Sequence, residues 1–364
     1  MNAKLVILVA QTLVTAAALQ ITAQALTNLR TPAGYGGRIF NLQPNLADHI
    51  PGYYLGDSLT SSLDTVEKLL QAGYSSLMSI AVATPAELVG ATEMSEATAK
   101  KVIAIARANL EMEFLSGEEL LKKRQQCLRI TTGSKALDTL FGGGVETGAI
   151  SEAYGAYGAG KSQIAHVLAV RCQLPVEKGG AGGMAVFIDT ESTFRPERIV
   201  QIANNLKMDV QEVLRNIKVA RAFNSDHQAL LAEKIEDLIK KQGLPIKLVV
   251  VDSLMAHFRA EFIGRGTLAD RQQKINKHMH ALMRLADTYN LAVYVTNQVM
   301  SRPDTFFGDP TEAIGGHIVA HNSTYRVYLR RGKKGTRVAK MVDAPNLAES
   351  EAIFQVEEAG VRDA

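Results

Sequence analysis

The sequence predicts an α/β fold in which a mostly parallel sheet is flanked by helices, with a small all-α domain ahead of it. Three observations carry that expectation. Gly155-Ala156-Tyr157-Gly158-Ala159-Gly160-Lys161-Ser162 fits the phosphate-loop pattern G-x-x-x-x-G-K-[ST], set between a strand-like run and an apolar helix. Near-continuous apolar runs at 185–189, 247–252 and 291–296 alternate with helical stretches, as in a sheet covered on both faces. Residues 60–113 instead carry apolar side chains at helical spacing.

Taken in order, the chain of 364 residues divides into an extension and linker over 1–52, a small helical domain over 53–112, a linker over 113–128 and a core over 129–364. The net charge of +3 is too small to argue for nucleic acid without local clusters. Cys127 and Cys172 make neither a disulfide framework nor a metal-ligand spacing, which points to a reducing, cytoplasmic interior. Residues 5–29 carry no charge, follow Lys4 and include Ala23-Gln24-Ala25, so alone they read as a signal peptide or weak anchor. Gln11, Thr12, Gln20 and Asn28 dilute that pattern. A lineage-specific extension and a start codon placed too far upstream are the alternatives, and the start codon is favoured. Pro32, Gly34, Gly36, Gly37, Pro44 and Pro51 mark 30–52 as linker.

In the small domain Leu63, Val66, Leu69 and Leu70 predict a helix stopped at Gly73, and Leu77, Ile80 and Ala81 a second. Thr84-Pro85 opens a third and Ser95 caps a fourth. A charged helix over 118–126 precedes the core. There, a strand over 149–154 leads into the phosphate loop and a helix over 163–170 leads out. Further helices are expected at 196–205, 227–241 and 268–289. Parallel sheets bind ligands at the carboxyl ends of their strands, where the loop, Asp189, Asp252 and Asn297-Gln298 all fall.

That placement assigns chemistry. Loop glycines let backbone N–H groups turn inward around phosphates, Lys161 reaches the β- and γ-phosphates, and the helix starting there adds its positive end. Ser162 and Asp252 are the candidate Mg²⁺ ligands. Glu191 is the candidate for orienting an attacking water, and Gln298 for sensing the γ-phosphate. The nucleotide-binding set is Gly155, Ala156, Tyr157, Gly158, Ala159, Gly160, Lys161, Ser162 and Gln163, with Lys161, Glu191 and Gln298 catalytic.

The runs Ile188-Asp189-Thr190-Glu191, Phe194-Arg195-Pro196-Glu197-Arg198, Ala220-Arg221-Ala222-Phe223-Asn224, Ala269-Asp270-Arg271-Gln272-Gln273, Val295-Thr296-Asn297-Gln298-Val299 and Ile314-Gly315-Gly316-His317 closely resemble the archaeal RadA family of RecA-type recombinases. The resemblance covers 113–364, more weakly 60–112, and not 1–52. It implies a RecA-like P-loop ATPase core behind a degenerate helix–hairpin–helix domain. It also implies an ATP- and Mg²⁺-dependent filament on single-stranded DNA, homologous pairing, strand exchange and DNA-dependent ATP hydrolysis in repair and recombination. The partners implied are single-stranded DNA, homologous duplex, further copies of the chain and recombination mediators, with no membrane.

By the same resemblance, Arg259, Arg265 and Arg271 would contact DNA from a first loop, and Met300, Phe306, Phe307, Gly315 and Gly316 from a second. Arg198 would pack on adenine, Asp343 and Pro345 would cap the nucleotide of a neighbouring subunit, and Phe114 would plug into the next protomer. The basic hairpin Arg326, Arg330, Arg331, Lys333, Lys334, Arg337 and Lys340 reads as a solvated strand–turn–strand, with duplex contact as the alternative. Departures from the family lie at 58–63, where a glycine turn is usual, and at Glu93, where glycine is usual. Ser162 and Ser192 are milder changes. A non-catalytic paralogue regulating filaments is the principal rival reading; a hexameric helicase or clock-type ATPase lacks support from the 259–271 and Phe114 features.

Overall fold

The computed structural model describes residues 6–9, 33–36, 53–54, 68–69, 72, 74, 77–108, 116–301 and 311–364. They fall into two compact units, Met1–Ser116 and Gly117–Ala364.

In the first unit, strands β1 (Val6–Val9), β2 (Ala33–Gly36) and β3 (Tyr53–Tyr54) pair in parallel. The stretch expected as linker over 30–52 therefore contains a strand, since pairing on both edges gives the β2 backbone its partners. Helices α1 (Leu77–Val82), α2 (Pro85–Thr92) and α3 (Glu96–Ala108) follow. Thr84 and Glu87 form a reciprocal capping box at the start of α2, which satisfies amides that the helix itself leaves unpaired. Ser95 Oγ likewise accepts the Thr98 N–H at 3.2 Å. Leu69, Ala83, Leu88, Ala99 and Ile103 close a small core. Glu93 ends α2 at φ 56, in the left-handed region that favours glycine. The turn keeps its shape without glycine, and Lys68 lies 3.7 Å from the Glu93 carboxylate.

The second unit opens with α4 (Gly117–Arg124), β4 (Arg129–Ile130), α5 (Lys135–Leu140) and β5 (Val145–Glu146). Arg124 on α4 and Arg129 on β4 both donate to the buried Glu146 carboxylate on β5, at 2.9 and 3.1 Å, so Arg124 ties α4 to the β4–β5 pair. The main sheet has nine strands, in the spatial order 360–363, 351–357, 337–343, 325–331, 150–155, 292–297, 246–252, 184–189 and 217–221. Its parallel part comprises β13 (Tyr325–Arg331), β6 (Ile150–Gly155), β10 (Ala292–Asn297), β9 (Ile246–Asp252), β7 (Met184–Asp189) and β8 (Ile217–Arg221). Strands β14 (Arg337–Asp343), β15 (Glu351–Glu357) and β16 (Gly360–Asp363) extend it antiparallel.

Alternation along the buried strands builds two cores. Leu248, Val250, Phe187 and Tyr294 face one side with α6 (Lys161–Arg171), α7 (Pro196–Asn205) and α8 (Val210–Arg215). Val249, Val251, Ile188 and Val295 face the other, with α9 (Ser225–Lys240), α10 (Ala256–Glu261), α11 (Leu268–Tyr289) and α12 (Gly316–Asn322). Burial of one such Phe or Leu stabilises by about 1.5–3 kcal/mol. Both faces being filled explains why these strands carry no polar alternation. Between β10 and α12, β11 (Val299–Ser301) pairs antiparallel with β12 (Thr311–Ala313). Among the described residues, no helix is long and apolar enough to cross a membrane.

Candidate active site

The carboxyl ends of β6, β7, β9 and β10 converge on a cleft of about 1200 Å³ lined by the phosphate loop, Glu191, Arg198, Asp252 and Gln298. The loop leaves β6 where a Cβ on Gly155 would sit 2.1 Å from the Leu329 carbonyl oxygen, so a larger residue would push β13 away. Gly158 has φ 73 and a Cβ there would meet the Arg331 guanidinium at 2.2 Å. Lys161 heads α6, and its ammonium donates to the Gly155 and Ala156 carbonyls at 2.7 and 3.0 Å. Burial lowers its pKa from the ordinary lysine value, with the Asp252 and Glu191 carboxylates opposing the shift. Below the loop the buried Tyr294 hydroxyl donates to the Lys161 carbonyl at 3.4 Å.

Asp252 ends β9 and is 2% exposed. Thr296 donates to its Oδ1, and Thr193 donates to Oδ2 at 3.1 Å. The Asp252–Ser253 peptide bond is cis. Glu191 accepts from the Gln298 amide at 2.6 Å and from the Ser253 hydroxyl at 3.0 Å, both through Oε1. Asp189 does something narrower than its strand-end position suggested. Its carboxylate accepts the backbone N–H groups of Glu191, Thr193 and Phe194 at 3.2, 3.0 and 3.1 Å. It shapes the segment that carries Glu191 rather than facing the cleft. A carboxylate receiving several backbone donors is a strong local clamp.

Arg198 lines the cleft and is held by Gln163 at 2.8 Å and by the Glu358 carbonyl at 2.7 Å. Asp343 and Pro345 are exposed and do not line the cleft of their own chain. Ala159 is buried within the loop.

The residues expected on DNA separate into two groups. Arg259 lies exposed on α10, Arg265 in a single 3₁₀ turn, and Arg271 on α11, so the expected loop over 259–271 is largely helical. The Arg271 Nε is buried and has no hydrogen-bond partner among the described residues. Met300 is exposed on β11, and Gly315 and Gly316, at φ 107 and φ 60, start α12. Helix α12 packs on α11 through Asn322 and Asn276 at 3.2 Å, so Arg271 and the Gly315–Gly316 turn belong to neighbouring helices. Phe114, Phe306 and Phe307 lie outside the described residues.

Several residues escaped the sequence reading. His166 joins two loops: its Nδ1 meets the Ser162 carbonyl at 2.6 Å and its Nε2 accepts the Arg195 N–H at 3.2 Å. Burial pushes this imidazole below its ordinary value and suits the neutral form that those contacts require. The basic hairpin is not simply solvated. Arg337 donates to the Gly158 carbonyl at 3.0 Å and lines the cleft, while Arg326 pairs with the buried Glu152 at 2.7 Å. The one charge inside the strand before the loop, Glu152, was the sequence signal that pointed to such a partner.

Residues 123–364 match the profile of the Rad51 family. The curated DNA repair and recombination protein RadA of Methanocorpusculum labreanum (strain ATCC 43576 / DSM 4855 / Z) is 52% identical over 312 residues, spanning 82% of this chain and 95% of that relative.

Proposed function

The chain belongs to the Rad51 family, and from that membership and the cleft we propose that it is a DNA repair and recombination protein of the archaeal RadA type. On this reading it assembles with ATP on single-stranded DNA, pairs it with homologous duplex, exchanges strands and hydrolyses ATP when DNA is bound. A cytoplasmic setting and mediator proteins belong to the same reading. The observation that supports it most is the convergence of Lys161, Glu191, Asp252 and Gln298, from four different strand ends, on one cleft.

The residues of the cleft fit a Mg²⁺ nucleotide: a glycine loop with no space for a Cβ at Gly155, an ammonium at a helix start, a hydroxyl at Ser162 and a carboxylate at Asp252. The bound nucleotide supplies the phosphoryl group and the metal its charge neutralisation. Lys161 exchanges its two carbonyl partners for phosphate oxygens, which are better acceptors for a cation. Glu191 keeps Oε1 on Gln298 and Ser253, and Oε2 takes up a proton from water. Arg198, fixed by Gln163 and Glu358, offers a planar surface for the base. Asp343 and Pro345 act on the cleft of the next subunit, and Phe114 links subunits into a filament. Arg259, Arg265 and Arg271 track phosphates, while Met300, Phe306, Phe307, Gly315 and Gly316 approach bases and backbone.

A strand-exchange assay with ATP, beside Lys161→Ala, tests this. Joint molecules from the wild type and none from the variant are expected. Absence of joint molecules would sink the recombinase reading: missing ATP turnover as well would favour the non-catalytic filament regulator, and retained turnover the helicase. Gln298→Ala should abolish ATP-stimulated DNA affinity while leaving nucleotide binding; unchanged stimulation removes Gln298 from the coupling.

A further inference from the structure

Glu152 stands in the middle of β6, three residues before the phosphate loop, and is completely buried. Taking a carboxylate out of water is costly unless its oxygens are well paired. Here both are. Oε2 accepts from Arg326 Nε on β13 at 2.7 Å, and Oε1 accepts from Asn297 Nδ2 on β10 at 2.7 Å. The Arg326 guanidinium also lies 5.3 Å from the centre of the Tyr154 ring.

Asn297 is itself fully committed. Its Nδ2 donates a second time, to the Ile314 carbonyl at 2.6 Å, and its Oδ1 accepts the Gln298 N–H at 2.8 Å. The Ile314 N–H closes the base by donating to the Gln298 carbonyl at 3.0 Å. One amide therefore holds the residues on either side of the β11–β12 hairpin, and the adjacent Gln298 reaches Glu191 at 2.6 Å. Only one orientation of the amide works. Reversed, its oxygen would face the Glu152 carboxylate and the Ile314 carbonyl, three acceptors together. The buried negative charge fixes that choice.

The geometry assigns Glu152 a positioning role: it orients Asn297, and through it the base of the β11–β12 hairpin, so that Gln298 couples the nucleotide cleft to the DNA-facing segment. This rests on the functional reading above for the meaning of the coupling, but not for the positioning itself. The rival reading is that Glu152 merely neutralises Arg326.

Two double variants separate them, because each removes both charges. Glu152→Gln with Arg326→Met leaves an oxygen for Asn297; Glu152→Leu with Arg326→Met does not. In nucleotide-free, DNA-free protein, hydrogen–deuterium exchange at the Gln298 and Ile314 amides should speed up by up to about tenfold in the Leu variant and stay near wild type in the Gln variant, as expected for loss of the acceptor that holds Asn297. Thermal midpoints of the two should be similar, since an apolar replacement of a buried ion pair is tolerated. Fluorescence anisotropy on a labelled oligothymidylate, with and without ATP, should show ATP-dependent tightening kept in the Gln variant and reduced by about tenfold in the Leu variant. Equal protection in both variants overturns the positioning role. Should the wild type show no ATP-dependent tightening, the functional reading fails, and the exchange measurement still decides the role of Glu152.

Discussion

The phosphate cleft and helix α11 treat their polar groups in opposite ways. In the cleft each chemical group is already held: Lys161 on two carbonyls, Asp252 by two threonines, Glu191 by Gln298 and Ser253. Along α11, Arg271 Nε, Gln272 Oε1 and His278 Nδ1 are buried with no hydrogen-bond partner among the described residues. An unmet buried polar atom costs about 1–3 kcal/mol. The difference teaches that the cleft is preorganised within one chain, whereas the arginine-bearing helix holds bonding capacity that a ligand or a rearrangement can satisfy. Preorganised groups suit chemistry, where reorganisation is wasted; an unmet guanidinium donor such as Arg271 Nε suits a contact that tightens on a flexible strand.

The largest effect expected on this contrast is at Lys161. Lys161→Ala should lower DNA-stimulated ATP turnover by about 10²–10³-fold, the scale for removing one preorganised charge. The unfolding midpoint should hold or rise, because burial already disfavours the charged form of Lys161 in the folded state. Phosphate release and differential scanning calorimetry check both, and a matching loss of stability would mean that the lysine holds the fold rather than the ligand.

Next is acid sensitivity on the α11 side. Burial pushes His278 from 6.5 down to about 4. The unfolded chain therefore takes up the proton first, so the stability contribution is complete above pH about 6.5 and is lost as pH falls toward about 4. By pH 4 the wild type should lose up to about 3 kcal/mol more than His278→Gln, measured by chemical denaturation at both pH values. Equal losses would show that water reaches the imidazole.

A smaller effect belongs to Arg271. Arg271→Ala should weaken single-stranded DNA binding by about tenfold, equally across sequences, and reduce the salt slope by about one, while nucleotide affinity holds. Loss of nucleotide affinity instead would erase the distinction between the two regions. The smallest is at Arg337, whose bond to the Gly158 carbonyl braces the loop from outside. Arg337→Ala should raise the nucleotide dissociation constant about threefold to tenfold by calorimetric titration. No change would leave the loop self-supporting.

Much of the cleft was legible in the sequence. The loop, Lys161, Ser162 and Asp252 are read from local spacing, because a phosphate cradle needs glycines and a lysine at fixed offsets on one strand–turn–helix. The strands β7, β9 and β10 were legible because both faces are buried, which writes itself as an apolar run. Helices α2 and α3 announced themselves through Thr84-Pro85 and Ser95, whose side chains cap their own backbone.

What stayed hidden depends on partners far apart in the chain. Nothing near Asp189 says that it will clamp three amides rather than face the cleft, and nothing in the basic hairpin separates Arg326 and Arg337 from their exposed neighbours. Arg326 finds Glu152 across 174 positions, and Arg337 finds Gly158 across 179, only because β13 lies beside β6 and β14 beside β13. By itself, then, the sequence determined that this protein has a glycine-rich strand–turn–helix loop and a strand-end aspartate on a buried parallel sheet, since those properties are local or periodic. Tertiary structure alone decided which charges were desolvated and paired, because register between distant strands sets the dielectric and the partner that each charged side chain meets.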